Sequence, residues 1–517
     1  MSINHHWDYI LRFILWALAI YLTFSAAANE KVYCLEQKEV SDGAFGEIEC
    51  LNPYHHYNSS AVKRFYSYKE AMKTKNIRIS TFNVYQAGST KTEFKDYEIV
   101  AKIINNWDVI GAVELVSNTG ENRRHNESIY EEIELLKENP RLSTSERNKK
   151  IKFLKKQYTQ PGYLKILEEL MKLDPSWSLV LTPRDDGSRN ATVKELAGYF
   201  YRARIVKPVD NEYCENFVSN KNSIACYVNF DKNFYGRNVS SLISRLPFIG
   251  SFRSGRFDFS LLLTHTVFTP TSDPVYKKKI LNEAFNVDDH TDLGFGVTAQ
   301  TYQRFAEIKH LLNFVQLYKN SFKENDLILL GDMNLNGDEE FWAEMLRDFG
   351  NTSVKVKEKT TIARSFERGG EPTKGLANNY DHFIFDDKTT AQCAGRDNFK
   401  AYNFMENQIS HLINRKYFVR GRRINNHDVY DFKLSKDGEE KVKYLRNSYS
   451  RYVGSLYTVS RGEIVKRFTE LDEKIEDIDR KLFLPQLRER SYYRYFQEVV
   501  SDHLPIYMTC RNTYDED

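Results

Sequence analysis

A chain of 517 residues is longer than one hydrophobic core usually organises, which calls for one large domain with insertions or for two domains. Its 41% hydrophobic and 14% aromatic content supplies ample core material and excludes general disorder. A formal net charge of +3 is too balanced for charge alone to designate a nucleic-acid partner, so any basic surface has to be local.

Residues 1–28 read as an export signal. His5, His6 and Arg12 precede an apolar run from Phe13 to Phe24, and Ser25, Ala26, Ala27 and Ala28 then offer the small residues of a cleavage site. An uncleaved anchor is the alternative, because Ile10 to Ala28 is only just long enough for a bilayer core of roughly 30 Å. No later stretch reads as transmembrane. The mature chain is therefore expected to be a soluble monomer, secreted or periplasmic, with no membrane span after cleavage.

Residues 29–76 form a polar, Tyr-rich extension without periodicity, expected to be irregular. From Ile77 onward short apolar runs alternate with helical stretches. Strands are predicted at Ile77 to Asn83, Val109 to Glu114, Ala197 to Tyr201, Phe257 to His265, Leu327 to Gly331, Phe383 to Phe385 and Leu504 to Thr509. Helical spacing covers Tyr97 to Asn106, Pro161 to Leu173 and Ala299 to Lys319. The pattern is α/β, with polar residues placed just past strand ends, where layered folds build their sites.

Two stretches read as insertions in a domain running from 77 to 517. The first, about 122–174, is charged and helix-prone. The second, about 395–500, interleaves Arg and Tyr, with Arg420, Arg422 and Arg423 in one cluster. Such residues grip phosphates and stack on bases; a helical subdomain that uses its aromatics as core is the equal alternative.

Six cysteines outside the cytoplasm suggest disulfides. Proximity favours Cys34 with Cys50 and Cys214 with Cys226, leaving Cys393 with Cys510, although other pairings stay open. No Cys/His cluster has zinc spacing. Sequons stand at Asn58, Asn126, Asn190, Asn238 and Asn351.

Chemistry-bearing residues gather at the strand ends. Leu329 to Asn334 is an apolar strand ending in Gly331, then Asp332 and Asn334, which could face a cation or a phosphate, or simply form an Asx-turn. Asp502 and His503 run into the last strand, Asp381 precedes another, His265 closes a third and Glu195 precedes a fourth. Asn83 and Glu114 end the first two.

In this order the segments around Asn83, Glu114, Lys194-Glu195, Ser244-Arg245, His265, Asp332 to Asn334, Asp381 and Ser501 to His503 resemble the endonuclease/exonuclease/phosphatase superfamily, in its DNase I-like branch. The resemblance spans Ile77 to Cys510. It implies a four-layer α/β/β/α sandwich (α+β in composition of layers) carrying the two insertions, and a secreted hydrolase of phosphodiester bonds.

The same resemblance makes His265 and His503 the acid–base pair, oriented by Glu195 and Asp381. A carboxylate on one ring nitrogen fixes the tautomer and raises the basicity of the other. It implies Glu114, Asp332, Asn83 and Asp502 as ligands of Mg²⁺, or of Mn²⁺ or Ca²⁺, with Asn334 and Arg245 on the phosphate. An endonuclease acting on DNA, or on DNA and RNA, is the first expectation, with Arg420, Arg422 and Arg423 as candidate substrate contacts. A sphingomyelinase-like phospholipid phosphodiesterase is the alternative, and an inactive binding protein is a further one. Val116 and Val193 stand where DNase I has its groove-reading Arg and a Tyr, so minor-groove recognition in that manner is not expected.

Overall fold

The computed structural model describes residues 56–88, 95–116, 120–155, 157, 160–182, 195–218, 223–322 and 324–363. It also describes 367–368, 371–372, 375–395, 398–406, 409, 412, 419–424, 427–431, 496–497 and 499–515. The expected export signal and Cys34–Cys50 pair lie outside these residues.

The strands, in chain order, are β1 (His56–Tyr57), β2 (Asn76–Ala87), β3 (Val109–Val116), β4 (Trp177–Leu181), β5 (Glu195–Arg202), β6 (Lys207–Pro208), β7 (Ala225–Tyr227), β8 (Phe248–Ser254) and β9 (Phe257–His265). They continue with β10 (Leu327–Asp332), β11 (Thr352–Val354), β12 (Glu367–Arg368), β13 (Glu371–Pro372), β14 (Asp381–Asp386), β15 (Lys400–Ala401), β16 (Val419–Ile424), β17 (His427–Asp431) and β18 (Ile506–Arg511). The α-helices are α1 (Ser60–Phe65), α2 (Tyr68–Thr74), α3 (Tyr97–Ile104), α4 (Gly120–Glu138), α5 (Thr144–Lys155), α6 (Gly162–Leu173), α7 (Glu212–Phe217), α8 (Pro274–Phe285), α9 (Tyr302–Ser321) and α10 (Phe341–Leu346).

Two seven-stranded sheets result. One runs β1-β4-β5-β3-β2-β18-β15; the other runs β11-β14-β10-β9-β8-β6, with β7 also paired to β8. Alternating side chains sort the strands into layers. In β10, Ile328 and Leu330 face one core while Leu327 and Leu329 face another. In β3, Val109 and Val113 join that first core while Ile110 and Ala112 point away from it. The shared core thus takes residues from both sheets: Ile79, Tyr199 and Met508 from one, Phe252, Leu263 and Phe383 from the other.

The two outer faces are covered by helices. Ile99, Ile103, Leu164 and Leu167 of α3 and α6 pack on the first sheet, and Phe305, Ile308 and Leu312 of α9 pack on the second. Helix, sheet, sheet, helix is the four-layer order expected. Helix starts are set locally: Asp96 caps α3 through Ile99 N–H, and Asp273 caps α8 with Pro274 following.

Residues 56–74 depart from the irregular extension expected. β1 pairs with β4, and Ala61 and Ala71 of α1 and α2 enter the inter-sheet core. The expected insertion boundaries also move. α6 belongs to the main core, whereas α4 and α5 enclose a small core of their own from Ile129, Ile133 and Leu154. In the second stretch, β15 pairs with β18, and Phe404, Phe496 and Val500 pack into the first outer core. Cys214–Cys226 and Cys393–Cys510 are both bonded, as proximity suggested.

Candidate active site

Strand polarity gathers the candidate residues at one end of both sheets. β2 and β3 are parallel, so Asn83 and Glu114 leave together; β5 is antiparallel to β3 and begins there with Glu195 opposite Val116. In the second sheet Asp332 is the register partner of His265 on parallel β9 and of Asp381 on antiparallel β14. β18 runs antiparallel to β2, bringing Asp502 and His503, just before it, to the same end.

Local backbone departures then aim the groups. Register slips between Asn83 and Ala87, where Tyr85 and Gln86 take φ near +46°, and Glu114 itself sits at φ +58°. A non-glycine residue at positive φ carries strain that the surroundings must offset. The bulge delivers the Gln86 N–H to Glu114 Oε2 at 3.0 Å. Gly331, at φ +136°, is required where it stands: a Cβ there would lie 2.0 Å from Thr264 O on β9.

His503 Nδ1 lies 2.7 Å from Asp381 Oδ2, and its Nε2 lies 3.5 Å from Asp332 Oδ2. His265 repeats the arrangement from the other side, with Nδ1 at 3.1 Å from Glu195 Oε2 and Nε2 at 3.6 Å from the same Asp332 Oδ2. Each imidazole is buried and has its own carboxylate, and both Nε2 atoms face the same Asp332 oxygen.

The electrostatics follow. Burial and Arg245 push His265 down, but Glu195 and Asp332 override them and the net shift is upward. For His503, burial is outweighed by Asp381, Asp332 and Asp502, leaving it well above its ordinary value. Burial pushes Asp381 up as well, against the pull of His503, so the pair holds its shared proton tightly. Burial disfavours ionised Glu195, yet His265 and Arg245 hold it down at about 2. Asp332 is likewise held low, because His503, His265 and Asn83 outweigh its burial.

Several of these side chains are bonded within the protein. Arg245 does not present an open fork. Its Nε is 2.6 Å from Glu195 Oε2, Nη2 donates to Glu195 Oε1 at 3.1 Å and Nη1 donates to Thr266 O at 3.1 Å. Asn83 aims Nδ2 at Glu114 Oε1 (2.8 Å) and Asp332 Oδ2 (3.0 Å), while its oxygen accepts from Tyr85 N–H. It bridges two carboxylates here rather than presenting an oxygen ligand. Asn334, at φ +50°, donates its side-chain N–H to Thr266 O and its main-chain N–H to Asp332 Oδ1. Arg420, Arg422 and Arg423 lie on β16, whose side chains are outside the described residues, as is Val193.

Thr360 escaped the sequence reading. Its hydroxyl accepts the N–H groups of Tyr380 and Asp381 at 3.0 and 3.1 Å, and its carbonyl accepts Leu504 N–H, joining the two segments that carry Asp381 and His503. A lone buried threonine in an irregular stretch leaves no sequence signal.

The oxygen-rich donor set fits a hard divalent cation. Burial pushes Glu114 above the usual carboxylate range, with Asp502 and Glu195 adding to the rise while His265 opposes it. Among the described residues no lysine or arginine is bonded to Glu114 or Asp332. Asp332, Asp381 and His503 also offer ligand atoms within 4.8 Å of one another, a grouping that shares Asp332 with the expected set.

No protein-family model matches the chain, and no curated protein matches it in sequence. Solved structures do. An endonuclease/exonuclease/phosphatase family protein from Leptotrichia buccalis is 14% identical, covering 60% of this chain and 87% of that one with a TM-score of 0.33. The human Nocturnin catalytic domain is 10% identical over 63% of this chain and 84% of its own, TM-score 0.31. A beta-hairpin deletion mutant of Staphylococcus aureus beta toxin is 13% identical over 60% and 86%, TM-score 0.32.

The fold is a four-layer α/β/β/α sandwich.

That statement rests on the layer order and on the strand ends that meet at the site; likenesses this distant assign no residue its role. Glu114, Glu195, Arg245 and His265 line a small cavity.

Proposed function

We propose that the chain is a divalent-metal-dependent phosphodiesterase, and that its substrate is a nucleic acid, first of all DNA cut internally. One observation carries the catalytic reading: His265 Nε2 and His503 Nε2 both face Asp332 Oδ2, at 3.6 and 3.5 Å, while a separate carboxylate orients each ring. Two opposed imidazoles match a displacement at phosphorus, where one group takes a proton from attacking water and the other gives one to the departing oxygen. The new bond is from water oxygen to phosphorus, and the broken one is phosphorus to the ester oxygen. Asp381 and Glu195 hold the rings and stabilise whichever is charged at each stage.

Glu114 and Asp332, with Asp502 close by, would hold the cation, whose chemistry when bound is to polarise a phosphate oxygen and stabilise developing negative charge. Arg245 keeps Glu195 ionised and oriented. Preference for nucleic acid rests on the Arg- and Tyr-rich stretch around Arg420, Arg422 and Arg423, whose composition suits a phosphodiester chain. Export, drawn from residues 1–28 and compatible with the two disulfides, completes the reading as a secreted enzyme.

Nicking of supercoiled plasmid by the purified protein, with Mg²⁺ and with chelator, tests it. Chelator-sensitive nicking is expected. Hydrolysis of a choline phospholipid with intact plasmid would replace nucleic acid by lipid as substrate, and inactivity on both would remove the enzymatic reading.

A further inference from the structure

Arg304 and Glu307 are 7% and 3% exposed, one turn apart on α9, at a place where the helix is buried nearly all round. Removing a charge from water costs several kcal/mol unless it is bonded, so the partners of such groups are informative. The two do not pair with each other. Arg304 donates from Nε to Val267 O at 3.1 Å, from Nη1 to Asn334 O at 2.5 Å and from Nη2 to Phe268 O. Glu307 accepts from Ser244 N–H at 3.2 Å, from the Ser244 hydroxyl at 3.1 Å and from Val267 N–H at 3.2 Å.

Five of these six bonds end on main chain, in three segments. Ser244 precedes Arg245, Val267 and Phe268 follow His265, and Asn334 follows Asp332. Ile243, Met333 and Leu335, which flank two of these segments, pack in the same outer core as Phe305, Ile308 and Leu311 of α9, so the buried charges add polar ties to an apolar seat. Guanidinium takes carbonyls and carboxylate takes N–H groups, so each charge fits the polarity of the loop ends that it meets.

We propose that Arg304 and Glu307 are positioning residues: a buried bracket on α9 that sets the Arg245–Glu195–His265 chain against Asp332. The proposal rests on the phosphodiesterase reading for its catalytic consequence, though not for its structural one. Neither residue touches substrate or cation. Loss of the bracket should leave the cleft formed but His265 misplaced, and a misplacement of about 1 Å costs on the order of 10²-fold in rate.

Glu307→Gln replaces an acceptor by an NH₂ facing N–H donors, and Arg304→Lys keeps the charge but cannot reach three carbonyls. In the full chain, with bis(p-nitrophenyl) phosphate and Mg²⁺, both variants should lose roughly 10- to 100-fold in kcat with KM little changed. A readout free of activity separates the two ideas: the ring positions of the histidines in crystal structures of the variants. The His265 ring should shift in either variant, while that of His503, held from the far side by Asp381 and Thr360, should stay. Unchanged kcat with an unmoved His265 would overturn the bracket, as would equal movement of both histidines, which would mean general loosening. An inactive wild type in which His265 alone moves in the variants would sink the phosphodiesterase reading and leave the bracket standing.

Discussion

At the scale of single residues, the site holds opposing charges whose titration directions differ in sign. Glu195 is held at about 2 by His265 and Arg245 against its burial, so its folded value is depressed. A depressed carboxylate contributes stability above its unfolded value of about 4.3, worth roughly 3 kcal/mol, and loses it as pH falls toward 2. Glu195→Gln should therefore be less stable than wild type at pH 7 in urea unfolding, with the difference shrinking below about pH 4. A constant difference would detach Glu195 from the pair. Glu114 carries the opposite sign: burial raises it, so without a cation its ionised form is destabilising as pH rises through the folded value. Glu114→Gln should raise the Tm of the metal-free protein and abolish the further rise that Mg²⁺ or Mn²⁺ gives wild type. The identities of these groups were legible because each stands at the end of an apolar run. Their bonding was not: the occupation of Arg245 by Glu195 and the Asn83 bridge depend on residues far apart in the chain.

Among the elements, strands that end on a charged or polar site residue were legible, and β4 and β8 were not. Phe257 to His265 matches β9 from end to end, because its apolar run is bounded by charged and turn-forming residues. β4, buried at all five positions, and β8, preceded by Pro247, lack the alternation that marks a half-exposed strand. The β9–β10 join depends on Gly331, whose φ and lack of a Cβ allow the approach to Thr264 O. Gly331→Ala should cost roughly 3 kcal/mol or more in urea unfolding, and a loss under about 1 kcal/mol would show that the strands can part without penalty. The α4–α5 hairpin lies at the other extreme. Its apolar contacts close on Ile129, Ile133 and Leu154, a core separate from the three large ones. Replacing 120–155 by a short Gly/Ser linker should leave Tm within a few degrees of wild type; collapse of the fold would mean that the hairpin supports the β3 end after all.

Over the whole molecule, the order of motifs was legible while the assignment of strands to sheets was not, since β2 takes as its partner the last strand of the chain. The Cys393–Cys510 bond spans 117 residues and ties β18, the strand after His503, to the segment that follows β14. A cross-link over that span is worth about 4–5 kcal/mol through the chain entropy of the unfolded state, so a reductant should lower Tm and plasmid nicking together. Most of the chain enclosed by that bond is the Arg- and Tyr-rich stretch. If Arg420, Arg422 and Arg423 meet phosphates, each releases about 0.9 counterion, and changing all three to Gln should reduce the slope of log K against log salt by about 2 to 3 in filter binding to duplex DNA. Activity on bis(p-nitrophenyl) phosphate, which has no chain of phosphates to grip, should stay at the wild-type rate. A salt slope unmoved by the triple change would assign the stretch to structure and leave the DNA grip to the rim of the cleft itself.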